Sequence, residues 1–204
     1  MKQYFIGLTL ASSASTDSGI AVIDSQNQII LLDKLFTMND VQYFFENYSS
    51  VKEAQICISL PSDNSMLNGK WRILSKLYQQ LNLKVDFKNL NNWTQRYSSR
   101  GSDYFAKLID EGISINRFEL YLTRQALNLN SCFKERSPAD CKALQNALKI
   151  KYGFNNLPTN MMPMAQLEAV TGAILAKKIH DDFHSNKSLP KQIFEFNGIP
   201  VIRG

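Results

Sequence analysis

The chain is 204 residues long, 44% apolar and 20% charged, which suits one globular domain (residues 1–204) with its own hydrophobic core. No apolar run approaches the roughly 18 residues of a membrane span. Cys57, Cys132 and Cys141 follow no disulfide-like spacing, so the expectation is a soluble, cytoplasmic protein with free thiols. The net charge of +5 favours anionic partners.

The opening, MKQYFIGLTLASSAS, alternates like a strand and is read as the first element of the fold rather than a secretory leader. Gln3–Thr9 predicts a strand, Ser12–Ser18 a polar turn, and Gly19 with Ile20–Ile23 a second strand. A turn at Asp24–Asn27 leads into a third strand over Gln28–Lys34, and such short connections require an antiparallel meander. Thr37 or Asn39 then caps a helix carrying Val41, Phe44 and Phe45. Ala54–Leu60 predicts a buried strand ended by Pro61, Lys70–Leu81 a helix, and Leu83–Phe87 a short strand. Ser102–Glu111 predicts a helix closed by Gly112, and Arg117–Leu122 another strand. Pro138–Tyr152 predicts a helix with Gly153 after its end, and Ala165–Phe183 the longest helix. Ile193–Phe196 and Ile199–Ile202 close the chain in extended form.

A three-strand meander followed by crossover helices gives an α/β fold, a mixed sheet of antiparallel and parallel strands with flanking helices. That is the ribonuclease H-like arrangement, shared in outline by the actin and sugar-kinase ATPases. The same core serves nucleases, kinases and inert copies, so function must be argued from the site.

Charge is concentrated. From Lys70 to Lys107 there are eight basic and two acidic residues, interleaved with Trp71, Tyr78, Phe87, Trp93, Tyr97, Tyr104 and Phe105. Basic and aromatic residues together suit phosphate contacts and base stacking, with Arg72, Arg96, Arg100 and Lys107 as candidate nucleic-acid contacts. A solvated helix face with its aromatics turned inward gives the same interleaving.

Several stretches resemble, in chain order, the domain-of-unknown-function family 429. Gly7-Leu8-Thr9-Leu10-Ala11 followed by Gly19-Ile20-Ala21-Val22-Ile23-Asp24 is similar to its opening hairpin, and Ile56-Cys57-Ile58-Ser59-Leu60-Pro61 to an I-A-I-D-A-P strand end. Arg100-Gly101-Ser102-Asp103, Phe118-Glu119-Leu120-Tyr121, Cys132-Phe133-Lys134 and Glu168-Ala169-Val170-Thr171-Gly172-Ala173 resemble later motifs. The resemblance implies a ribonuclease H-like fold and a nuclease site built from Thr9, Ser59, Asp103, Glu119, Lys134 and Glu168. Thr9 and Ser59 stand where the family has aspartates, and Thr123 where it has a proline.

Ribonuclease H-like catalysis holds two divalent ions about 3.5–4 Å apart, and hard cations want charged oxygen ligands. Losing both strand carboxylates removes several kcal/mol of attraction for each charge, even at an effective dielectric near 20. The expectation is a degenerate nuclease or a nucleic-acid-binding pseudoenzyme, with at most one Mg²⁺ or Mn²⁺ held through Glu119 and Glu168. Asp17 offers a substitute ligand. Glu168 is either a solvent-facing helix residue or, because Gly172 lies one turn later, part of a face pressed on the sheet. Alternation puts Glu119 opposite Phe118 and Leu120.

Two other function classes stay open: a nucleotide or sugar-phosphate site in which Ser12–Gly19 (SSASTDSG) cradles phosphate, and an interaction module without ligand. His180 and His184 share a helix face but lack a third metal ligand, and Cys57 lies in an apolar strand.

Overall fold

The computed structural model describes residues 3–10, 18–59, 105, 107–118, 120–185, 192–196 and 199–202. Among them are seven strands, β1 (Tyr4–Thr9), β2 (Ser18–Asp24), β3 (Ile29–Leu35), β4 (Gln55–Ser59), β5 (Ile115–Phe118), β6 (Gln192–Phe196) and β7 (Ile199–Ile202). They form one mixed sheet in the order β3-β2-β1-β4-β5-β7-β6. The β1-β2-β3 meander is antiparallel, and β1, β4, β5 and β7 run parallel to their neighbours in that order. The hairpin of β6 and β7 is antiparallel.

Strands β1 and β2 are buried along almost their whole length, because helices cover both faces of the sheet. On one face Phe5, Ala21, Ile23, Cys57 and Phe118 pack with α2 (Leu120–Ala126), α3 (Pro138–Tyr152) and α4 (Met164–His184). On the other, Ile6, Leu8, Ile20, Val22, Ile56 and Ile58 pack against Val41 and Phe45 of α1 (Met38–Asn47), and against Phe105 and Leu108. Burying each such aliphatic or aromatic side chain stabilises by about 1.5–3 kcal/mol relative to leaving it exposed.

Local chemistry fixes the helix ends. Thr37 caps α1: its hydroxyl accepts from the Asp40 N–H at 3.1 Å, and the Asp40 carboxylate accepts from the N–H groups of Thr37 and Phe36. Those backbone donors hold the Asp40 carboxyl below its usual range. Ser137 caps α3 ahead of Pro138, and Gly153 ends it in the left-handed region at φ +71°. Gly112, at φ +87°, closes the helical turn before β5.

One expectation is corrected. The strand expected over Arg117–Leu122 stops at Phe118, and α2 starts at Leu120. Leu120, Thr123, Arg124 and Leu127 are all buried, a helical spacing that puts one face of α2 against α4. The branched and aromatic residues at the junction read as strand locally, and packing decides otherwise. The helix over Lys70–Leu81 and the strand over Leu83–Phe87 lie outside the described residues.

Candidate functional site

Thr9 ends β1 and Ser59 ends β4, and the parallel register pairs them directly. Pleat alternation puts both on the face of Phe5, Gly7 and Cys57, the face that α4 covers. Both are buried, at 4% and 1% exposure, and neither hydroxyl has a hydrogen-bond partner among the described residues. An orphaned buried hydroxyl costs about 1–3 kcal/mol.

Glycines let α4 lie directly on the sheet. A Cβ on Gly19, which pairs with Thr9, would stand 2.0 Å from the Ala165 carbonyl oxygen. One on Gly7 would stand 1.9 Å from that of Ala169. Farther along, the His180 ring meets Phe5 edge-on at 5.4 Å, so α4 descends from the end of β1 toward its start. A Cβ on Gly172 would meet both the Phe118 ring and the Gly7 Cα, so this ridge lies over β4, between β1 and β5. Glu168, one turn earlier on the same ridge, therefore sits toward the strand ends that carry Thr9 and Ser59. It is fully buried, which decides for the sheet-facing alternative.

A buried carboxylate needs a counter-charge. Arg136 provides one, with Nη2 3.3 Å from Glu168 Oε2. Its backbone occupies the left-handed region at φ +59°, a conformation that costs a non-glycine residue roughly 1–2 kcal/mol. Asp140 holds it there: Oδ2 accepts from the Arg136 N–H at 2.9 Å and from Arg124 Nη1 at 3.2 Å. Oδ1 accepts from Arg124 Nη2 and from the Ser131 hydroxyl, both at 2.7 Å. Burial pushes the Asp140 carboxyl up, but the Arg124 and Ser131 hydrogen bonds, the Arg136 amide and the Arg124 charge outweigh it, and the net shift is downward.

Of the expected site residues, Thr9, Ser59 and Glu168 are brought to one end of the sheet. Lys134 is not shown reaching them: it is exposed in the turn before α3, where its carbonyl accepts from the Ser137 N–H, and Arg136, two residues on, meets Glu168 instead. Lys107 is exposed and lies 3.7 Å from Glu111. Thr123 is buried within α2. Asp17, Arg72, Arg96, Arg100, Asp103 and Glu119 lie outside the described residues, as does most of the Ser12–Gly19 turn.

Among the described residues no group of three His, Cys, Asp or Glu side chains is placed to hold a metal ion. One arginine-paired carboxylate beside two neutral hydroxyls does not fit a pair of divalent ions. His180 and His184 pack ring to ring at 4.1 Å on the exposed end of α4. Burial pushes the Cys57 thiol well above its usual range, which suits a packing residue rather than a nucleophile.

The sequence reading missed Arg136 and the Arg124–Asp140–Ser131 cluster. Its one legible sign was Ser137-Pro138-Ala139-Asp140, a helix start with an acid in its first turn. No helix among the described residues is long and apolar enough to cross a membrane. The chain matches no family model, no curated protein and no solved structure.

Proposed function

We propose that this chain is a ribonuclease H-like protein with a degenerate metal site, which binds nucleic acid without cleaving it. The sheet order β3-β2-β1-β4-β5, antiparallel through the meander and parallel beyond it, supports the fold assignment. The observation that carries the functional reading is the in-register pair Thr9 and Ser59, two buried hydroxyls at the ends of the central parallel strands. In a nuclease of this architecture those positions need carboxylates, and hydroxyls cannot neutralise two dications. The basic, aromatic-rich stretch Lys70–Lys107 supports a nucleic-acid partner.

Fluorescence anisotropy with labelled single-stranded and duplex oligonucleotides, titrated across salt, tests this reading. Binding whose logarithm falls linearly with log salt is expected, with no cleavage in Mg²⁺ or Mn²⁺. Absence of binding at low salt, or efficient metal-dependent cleavage, overturns it.

A further inference from the structure

We propose that the pocket between the end of β3 and α1 binds a purine base, guanine in preference to adenine, stacked against its aromatic rings. The pocket shares no residue with the Thr9 and Ser59 strand ends or with Lys70–Lys107, so the inference stands apart from the reading above.

The pocket measures about 440 Å³, within the roughly 300–1,000 Å³ of small-molecule sites. Lys34 and Phe36 line it from the end of β3, and Asp40, Tyr43, Phe44 and Tyr48 from α1 and its C-terminal cap. Asp40, Phe44 and Tyr48 follow one another at helical spacing and form one ridge of α1, while Val41 and Phe45 are buried against the sheet. Phe44 and Tyr48 stack, with ring centroids 4.9 Å and planes 19° apart. Phe36 and Tyr43 remain 66% and 70% exposed, so large aromatic surface is left to water beside a pocket. Such a patch marks a binding surface rather than a core.

The polar groups select the ligand. Asp40 Oδ2 accepts from the Phe36 and Thr37 N–H groups, and Oδ1 has no partner among the described residues. The same backbone donors keep this carboxyl ionised at neutral pH, and an ionised carboxylate only accepts hydrogen bonds. Guanine offers it two adjacent donors, the ring N–H and the amino group. Adenine sets a ring acceptor beside its amino donor, which a carboxylate repels. Lys34 brings a positive charge to the same pocket, suited to the phosphate of a nucleotide. A free nucleotide and an unstacked strand present the same base.

Isothermal titration calorimetry of the full chain with GMP and AMP tests the proposal. GMP should bind about tenfold or more tightly than AMP, the discrimination of one well-matched base edge. Tyr43→Ala, at an exposed position, should weaken GMP binding by about tenfold, the worth of one stacked ring, and Tyr43→Phe should retain it. Asp40→Asn keeps an oxygen for the helix cap but loses the charge, and should abolish the preference for GMP. If Asp40→Asn fails to fold, Tyr43→Ala and the ratio of GMP to AMP affinity decide. The trinucleotides TGT and TAT identify the source: TGT binding tighter than GMP assigns the pocket to a strand, and TGT binding no tighter assigns it to a free nucleotide. No GMP binding at millimolar concentration, equal affinity for GMP and AMP, or unchanged GMP binding in Tyr43→Ala overturns the proposal. Failure of the oligonucleotide titration would end the nucleic-acid reading and leave the mononucleotide result as it stands.

Discussion

Thr9 and Ser59 stand in register on neighbouring parallel strands, both buried and both with a hydroxyl that no other described group satisfies. Packing alone gives no reason for two polar residues there, since Val and Ala would fill the same space without the desolvation penalty.

Thr9→Val and Ser59→Ala should therefore each stabilise the fold, by about 1 kcal/mol, or a rise of some 2–4 °C in melting midpoint. Differential scanning calorimetry checks this. A loss of stability would mean that the hydroxyls have partners in solution.

Replacing the same pair by carboxylates should do the opposite. Thr9→Asp with Ser59→Asp puts two charges side by side at the ends of β1 and β4, and, if Glu168 converges on them, calorimetric titration should show Mn²⁺ affinity at least tenfold above that of the natural chain. No gain would refute the convergence of these three positions.

The contact between α4 and the sheet tolerates no side chain at Gly7, because a Cβ there collides with the backbone of Ala169. Gly7→Ala should cost about 3 kcal/mol or more in urea unfolding. Gly172→Ala meets the Phe118 ring at 2.9 Å and the Gly7 Cα at 3.2 Å, a milder overlap than the one at Gly7, and should cost less, about 1–2 kcal/mol. Equal costs would contradict the geometry.

Asp140 anchors the turn that presents Arg136. Its folded pKa is depressed, so its contribution is present above the unfolded value near 3.9 and is lost as pH falls through the lower, folded value. Asp140→Asn should lower stability at pH 7 by about 3 kcal/mol, since it leaves buried Arg124 without its carboxylate. Unfolding curves from pH 7 to pH 2 should show the difference from the natural chain shrinking in acid.

For the binding reading, Arg96→Glu with Arg100→Glu should flatten the slope of log affinity against log salt by roughly two, about one for each phosphate that is no longer neutralised. An unchanged slope would remove both residues from the interface.

What the sequence determined by itself was local. Alternation marked β1, runs bounded by polar turns or proline marked β2 to β4, and Thr37, Pro138, Gly112 and Gly153 marked helix ends, because capping and strand patterning depend on near neighbours in the chain. The meander followed from its short turns. The break between β5 and α2 was not legible, since the residues around it suit a strand until α4 packs against them. Only the tertiary structure set Thr9 beside Ser59 and brought Arg136 onto Glu168, 32 residues away. Strand register and the position of a buried charge are decided by segments distant in sequence, and no periodicity within either segment encodes which partner it will meet.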